Sequence, residues 1–343
     1  MALTMLSVRM RSLVVTPEEA LSGESKVRRE NARLKKDLAV AEQRLDELVA
    51  ELRIMEGFNS LNPDPPKWQV RAEKKKQQSF VVTMLSDLHL DEVVDPYQIP
   101  GNEYNRRIAT ERVSRWADQI AQLATDGHDG LVILWGGDMV TGEIHDELMR
   151  TNEDSVLGTC LYWSEILGAA FNLIAEQWDG RVKVYVTYGN HGRVDKKMQL
   201  KDYVRRNHDW LLAHMVARMT DLDWHIPEEI DCQFRLFDRT HVLTHGNHGV
   251  GRGGGGGIGG LWPPIMRMAA RMREEYGARN LVLEHIWMGH WHTPTFGRGW
   301  TINGSTKGPD EYTRSLRIAP EAPSQIYEVW HTEGAVSKGI IRV

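Results

Sequence analysis

Residues 80–91 read FVVTMLSDLHLD. The first six are apolar or β-branched and make a buried strand; the next six bring two carboxylates and an imidazole to the point where strand gives way to loop. Asp87 and His89 are the candidate ligands there. The construction recurs four times downstream: 131–135 before Gly137-Asp138, 182–188 before Gly189-Asn190-His191, 241–244 before His245-Gly246, and 281–288 before Gly289-His290-Trp291-His292. Further strands are expected over 232–237, 301–303, 326–331 and 338–343, and helical periodicity over 106–124, 156–178 and 200–219. That alternation predicts an α/β layered sandwich with mixed β-sheets flanked by helices.

The residue types state a chemistry. Carboxylate oxygens, neutral imidazole nitrogens and an Asn carbonyl suit hard or borderline divalent cations, whereas a thiolate site needs cysteine. Only Cys160 and Cys232 are present, and neither has a partner at ligand spacing. An Asp-x-His or a Gly-Asp alone is common by chance. Five such runs in order, each behind a strand, describe a two-metal site. Two ions roughly 3.5–4 Å apart need a bridging carboxylate. Asp138 is the candidate bridge.

Read together, these runs resemble the calcineurin-like metallophosphoesterases over residues 79–343. The chain looks most like the bacteriophage-encoded members, through the Ser-Asp-Leu-His-Leu-Asp opening at 86–91, the Gly-Asp-x-Val-x-Gly-x-Ile-His-Asp-Glu run at 137–147 and the Asn-Gly-Ser-x-Lys-Gly segment at 303–308. The resemblance implies a metallophosphoesterase-type sandwich and a role for each ligand. Asp87, His89 and His292 would hold one ion, and Asn190, His245 and His290 the other, with Asp138 shared. His191 would face the scissile phosphate without ligating and serve the leaving oxygen. It also implies two divalent ions, manganese first, with magnesium, iron, zinc or nickel as alternatives.

The expected reaction is hydrolysis of a nucleotide or nucleic-acid phosphodiester by metal-bound hydroxide. Phosphomonoester hydrolysis, or a non-catalytic coiled-coil scaffold, are the alternatives. One departure stands out: family members that act on phosphodiesters commonly carry an acid after Gly-Asn-His, and this chain has Gly192 and then Arg193. The orientation of His191 is thereby unassigned. Arg193 is a candidate phosphate clamp or a solvated loop cation. Lys307 is a second substrate-binding candidate, because the resembling proteins place its segment near the site.

With 343 residues the chain can bury a sizeable core, and a net charge of −5 gives no global attraction for polyanions or acidic membranes. Any such contact must be local. The segment 193–206 concentrates Arg193, Lys196, Lys197, Lys201, Arg205 and Arg206 just beyond His191 and could guide a phosphate-rich substrate, or be a solvated face. Two unpaired cysteines suit a reducing cytoplasm, the host's if the chain is phage-encoded. No signal peptide is read in 1–15, where Arg9 and Arg11 interrupt the apolar residues, and no membrane partner is expected.

Ahead of the catalytic domain, Val27, Asn31, Leu34, Leu38, Ala41, Leu45, Leu48, Leu52 and Met55 step by four and three between charged residues. This heptad seam predicts a coiled-coil helix over 24–58 and a homo-oligomer, with Asn31 at an a position that commonly favours a parallel dimer. The expected organisation is an N-terminal segment (1–23), the coiled coil (24–58), a proline-containing basic linker (59–78) with its break at 62–66 and lysines at 74–76, and the catalytic domain (79–343). Within the last, the glycine run of 249–260 reads as a mobile loop bordering the metal site or a linker to the next helix.

Overall fold

The computed structural model describes residues 17–60, 78–248 and 262–343. The 1–15 stretch, the proline break, the three lysines and the glycine run lie outside the described residues. The chain divides into two units, Met1–Glu73 and Lys74–Val343.

The described part of the first unit is a single helix, α1 (Pro17–Ser60), longer at both ends than the expected 24–58. It opens on proline, whose missing N–H costs nothing in a first turn. Every side chain described in it, from Ser25 to Glu56, is exposed.

The second unit is built on two mixed sheets. In the first, β1 (Ser79–Leu85), β2 (Gly130–Trp135), β3 (Val182–Val186) and β4 (Asp223–His225) run parallel. The second has the order β5 (Cys232–Leu236), β6 (Arg239–Thr244), β7 (Leu283–Met288), β9 (Trp300–Ile302), β8 (Thr295–Gly297), with β6, β7 and β9 parallel and the two edge strands antiparallel. The chain then returns to the first sheet, where β10 (Ser324–His331) and β11 (Gly334–Arg342) add antiparallel beside β1.

Side-chain alternation along the strands sets the layers. Val81, Leu85, Ile133 and Trp135 pack on one face against α2 (Arg106–Gln122), α4 (Val156–Gln177) and α5 (His208–Ala217). Their neighbours Val82, Met84, Val132 and Leu134 point the other way and meet Phe234, Leu243 and Trp287 of the second sheet. The far side of that sheet, through Val242, Ile286 and Met288, is covered by α6 (Trp262–Ala278). The result is helix, sheet, sheet, helix, with every parallel strand delivering its carboxyl end to one edge.

Local signals explain the main helices. Asn105 caps α2 by accepting the Ile108 N–H, and Ser155 caps α4 by accepting that of Gly158. Helix α4 has the length and mean hydropathy of a membrane span, but Glu165 interrupts it, and its residues Cys160, Trp163, Leu167 and Phe171 are buried in the core shared with the sheet.

The expected helix over 200–219 is corrected. It begins at His208, because Asn207 is the cap that accepts the Asp209 N–H, and the residues before it form turns. The expected strands at 182–188 and 232–237 also end early, at Val186 and at Leu236, where Phe237 takes a left-handed turn conformation. Short elements without a clear periodic signal are added by β4, β8, α3 (Asp146–Thr151) and α7 (Glu311–Ser315).

Asn207 does more than cap, since its Nδ2 donates to the Gly189 carbonyl at 2.8 Å and it is 2 % exposed. Asn207→Ala is expected to destabilise the unit by about 1–2 kcal/mol, the loss of a good cap. A urea midpoint indistinguishable from wild type would contradict this.

Candidate metal centre

The five ligand-bearing runs leave the carboxyl ends of β1, β2, β3, β6 and β7 and converge. Two of the loops are knitted by backbone hydrogen bonds: Asp87 N–H to Gly137 O (3.0 Å), His89 N–H to Asp138 O (3.1 Å) and Leu90 N–H to Met139 O (2.8 Å). The sheets are joined at the same place, as the His290 N–H donates to Asp87 Oδ1 at 2.8 Å and the His245 ring to the Gly136 carbonyl at 2.8 Å.

Two clusters result, Asp87 with His89 and His292, and Asp138 with His245 and His290; within each, the ligand atoms lie within 4.8 Å of one another. Either cluster can hold a metal ion. Asp87, His89, Asp138, His290 and His292 all have φ between 47° and 68°, a region that side chains other than glycine rarely adopt. Such strain at about 1–2 kcal/mol per residue persists only where the surroundings enforce it.

The acceptors are in excess, which is the test of fit. Asn190 Oδ1 is buried with no hydrogen-bond partner. His89 Nε2 and His292 Nε2 face each other at 3.2 Å, and His292 Nε2 lies 3.4 Å from Asp87 Oδ1. Because His245 Nδ1 faces a carbonyl it carries the proton, so in the neutral ring Nε2 turns a lone pair on Asp138 Oδ2 at 3.0 Å. That contact needs positive charge between its atoms. Burial acts to lower the His245 pKa, but the adjacent Asp138 carboxylate outweighs it and raises it to about 9. Burial, followed by neighbouring cations or imidazoles, holds His89 well below the ordinary range and His290 at about 3, as neutral rings that can ligate. Burial works against Asp138 ionising, yet the surrounding imidazoles keep it well below the usual carboxylate range. The donor set of nitrogens and hard oxygens fits divalent cations.

His191 stands beside both clusters, its ring centroid 4.6 Å from that of His89 and edge-on to it. Its N–H donates to Asp138 Oδ1 at 2.7 Å and its Nδ1 to the Thr141 carbonyl at 3.1 Å, which leaves Nε2 as the free nitrogen. The carboxylate that sequence reasoning sought at position 192 has no room there. A Cβ on Gly192 would lie 2.3 Å from Asn207 Oδ1 and 2.9 Å from the Asp209 carboxyl.

The two substrate-binding candidates are occupied within the protein. Arg193 donates to the carbonyls of Asn190, Asp195 (3.0 Å) and Lys196 (3.0 Å), so it staples its own loop instead of presenting a free phosphate clamp. Lys307 is 3 % exposed and pairs with Glu92 and Asp310. Its segment does lie against the site, but as support: Ser305 Oγ donates to Asp87 O at 2.7 Å, while Asn303 Nδ2 donates to Ser86 Oγ, which in turn donates to Asp87 Oδ2. In the basic segment Lys196, Arg205 and Arg206 pair with Asp146, Glu228 and Asp195, and Lys197 and Lys201 are exposed.

Sequence reasoning passed over Asp209, whose buried carboxylate accepts N–H groups of Gly189 (2.9 Å), Met139 (3.1 Å) and Val140 (3.3 Å) and so ties two ligand loops together. Burial and then Asp138 push its pKa up to about 6. Its only signal was an Asn-x-Asp cap, hidden in a segment read as mid-helix. Glu92 was also missed; an acid three residues after His89 was the sole hint.

The chain matches no known family model and no curated protein. The geometry therefore stands by itself. Gly189 presses on Asp138 so closely that a Cβ would lie 2.0 Å from its Oδ1 and 2.1 Å from its backbone N. Gly189→Ala is expected to displace Asp138 and abolish Mn²⁺ binding at its cluster in a calorimetric titration. An isotherm identical to wild type would contradict the placement.

Proposed function

We propose that this protein is a dinuclear metal-dependent phosphoesterase of the calcineurin-like type, acting on phosphodiesters of nucleotides or nucleic acids. The observation that carries the reading is the convergence of unpaired acceptors next to an imidazole whose second nitrogen is free. Asp87, His89 and His292 would hold one divalent ion and Asn190, His245 and His290 the other, with Asp138 between them. When bound, such a pair neutralises phosphate charge and makes water a competent nucleophile near neutral pH.

The chain's own residues supply the rest. The Thr141 carbonyl accepts from His191 Nδ1–H, so in a protonated ring Nε2–H is the proton left free to be given away. Burial lowers the His191 pKa, and the nearby Asp138 carboxylate opposes that. A bound phosphate, being anionic, favours the protonated form as well, and Nε2–H is then placed to give its proton to the departing alcohol oxygen. His191, His290 and His292 are only half-buried, which suits approach by a phosphate on the outside of a large molecule. A phosphomonoester would meet the same ligands.

With Mn²⁺ present, the expected result is cleavage of bis-(p-nitrophenyl) phosphate and of DNA or RNA, nearly abolished in Asp138→Asn. His191→Ala is expected to bind metal as wild type does and to lose about 10²–10⁴-fold in rate, the range of a general acid. Loss of metal by His191→Ala would overturn its assignment as a residue that does not ligate. Preference for the monoester p-nitrophenyl phosphate would overturn the diesterase reading.

We also infer that α1 joins copies of the chain. Its seam residues Val27, Leu34, Leu38, Leu45, Leu48, Leu52 and Met55 are each between 44 % and 62 % exposed, and apolar residues at this spacing bury one another in a two-helix supercoil. Light scattering is expected to give a multiple of the chain mass for wild type and the monomer mass for Leu38→Asp/Leu45→Asp. A monomeric wild type would remove the inference.

A further inference from the structure

Lys307 and Glu92 form a buried charge pair next to the metal centre, with Glu92 5 % exposed. Lys307 Nζ lies 2.9 Å from Glu92 Oε1 and also binds Asp310. Taking an ammonium out of water costs several kcal/mol unless it is paired. Burial opposes the charge on Lys307, but these two carboxylates more than restore it and raise its pKa above the ordinary value. Two carboxylates on one ammonium leave the cluster with one net negative charge.

The other oxygen of Glu92 faces the site. Its Oε2 accepts from Thr141 Oγ1 at 3.3 Å and stands 3.6 Å from His89 Nδ1. That distance is too long for a hydrogen bond, and His89 Nδ1 is a buried ring nitrogen with no partner. Thr141 is also the residue whose carbonyl accepts from His191. One carboxylate therefore touches the surroundings of both a candidate ligand and the candidate acid.

We propose that Glu92, held by Lys307, is the positioning residue of this centre: it receives the His89 Nδ1–H when His89 ligates through Nε2, and through the Thr141 hydroxyl it steadies the carbonyl that aims His191. The proposal rests on the two-ion reading above. A carboxylate behind a ligating imidazole fixes its tautomer and ring orientation and makes the ligating nitrogen more basic, and its loss typically costs 10–100-fold in metal affinity or activity. The net negative charge of the cluster also complements a cationic centre.

The test is calorimetric titration of full-length protein with Mn²⁺. Wild type is expected to bind two ions, and Glu92→Gln to bind one of them about 10–100-fold more weakly with the other unchanged. Thr141→Val, which cannot donate to Glu92, is expected to keep both affinities and KM while kcat falls about tenfold. Should Glu92→Gln not fold, Glu92→Gln/Lys307→Met removes the buried pair together, leaves Asp310 its capping bond from Thr313, and carries the same expectation. Two ions bound by the glutamine variant with wild-type affinities would overturn the positioning role and leave the two-ion reading standing. A wild type that binds no ion would overturn both.

Discussion

Buried acceptor atoms need donors or positive charge to offset them, and two clusters of such atoms, each of which could hold a metal ion, mark the carboxyl edge of the protein. The candidate ligand atoms of each cluster lie within 4.8 Å of one another, and Asn190 Oδ1 is buried without a hydrogen-bond partner. In isolation such an arrangement is unstable, because each desolvated acceptor without a donor costs on the order of 1–3 kcal/mol. The scaffold beneath holds it in place. Parallel strands from two sheets end together, their loops are knitted by backbone hydrogen bonds, and the layers behind them are packed with large apolar side chains, among them Trp116, Trp135, Trp163, Trp178 and Trp287.

The same economy extends outward from the ligands. Asp209 and Asn207, at the start of α5, hold the loops after β2 and β3, and the 303–307 segment holds the loop after β1. Two cations that look available in the sequence are already engaged in this supporting structure: Arg193 closes its own loop and Lys307 pairs with buried acids.

Much of the fold was legible because periodicity is a local property. Continuous apolar or β-branched runs at 80–85 and 131–135 announced strands with two buried faces, and the spacing in 106–124 announced a helix with one. The misreading at 200–219 has an equally local cause: apolar residues continue upstream of Asn207, and only the hydrogen bond from the Asp209 N–H to the Asn207 side chain shows that the helix starts late. Elements of three to six residues, such as β4, β8, α3 and α7, are too short to show a period at all.

For the centre itself, the sequence by itself determined which ligand types are present, their order, and that each follows a strand; those facts follow from residue chemistry and from nearest neighbours along the chain. Tertiary structure alone decided which acceptors are left without partners, why position 192 admits no side chain, and which atoms orient His191. It also decided that Lys307 and Glu92, 215 residues apart, share a buried contact. The physical reason is that pairing and desolvation are set by groups brought together across the chain, and no local pattern of residue types records which of them will meet.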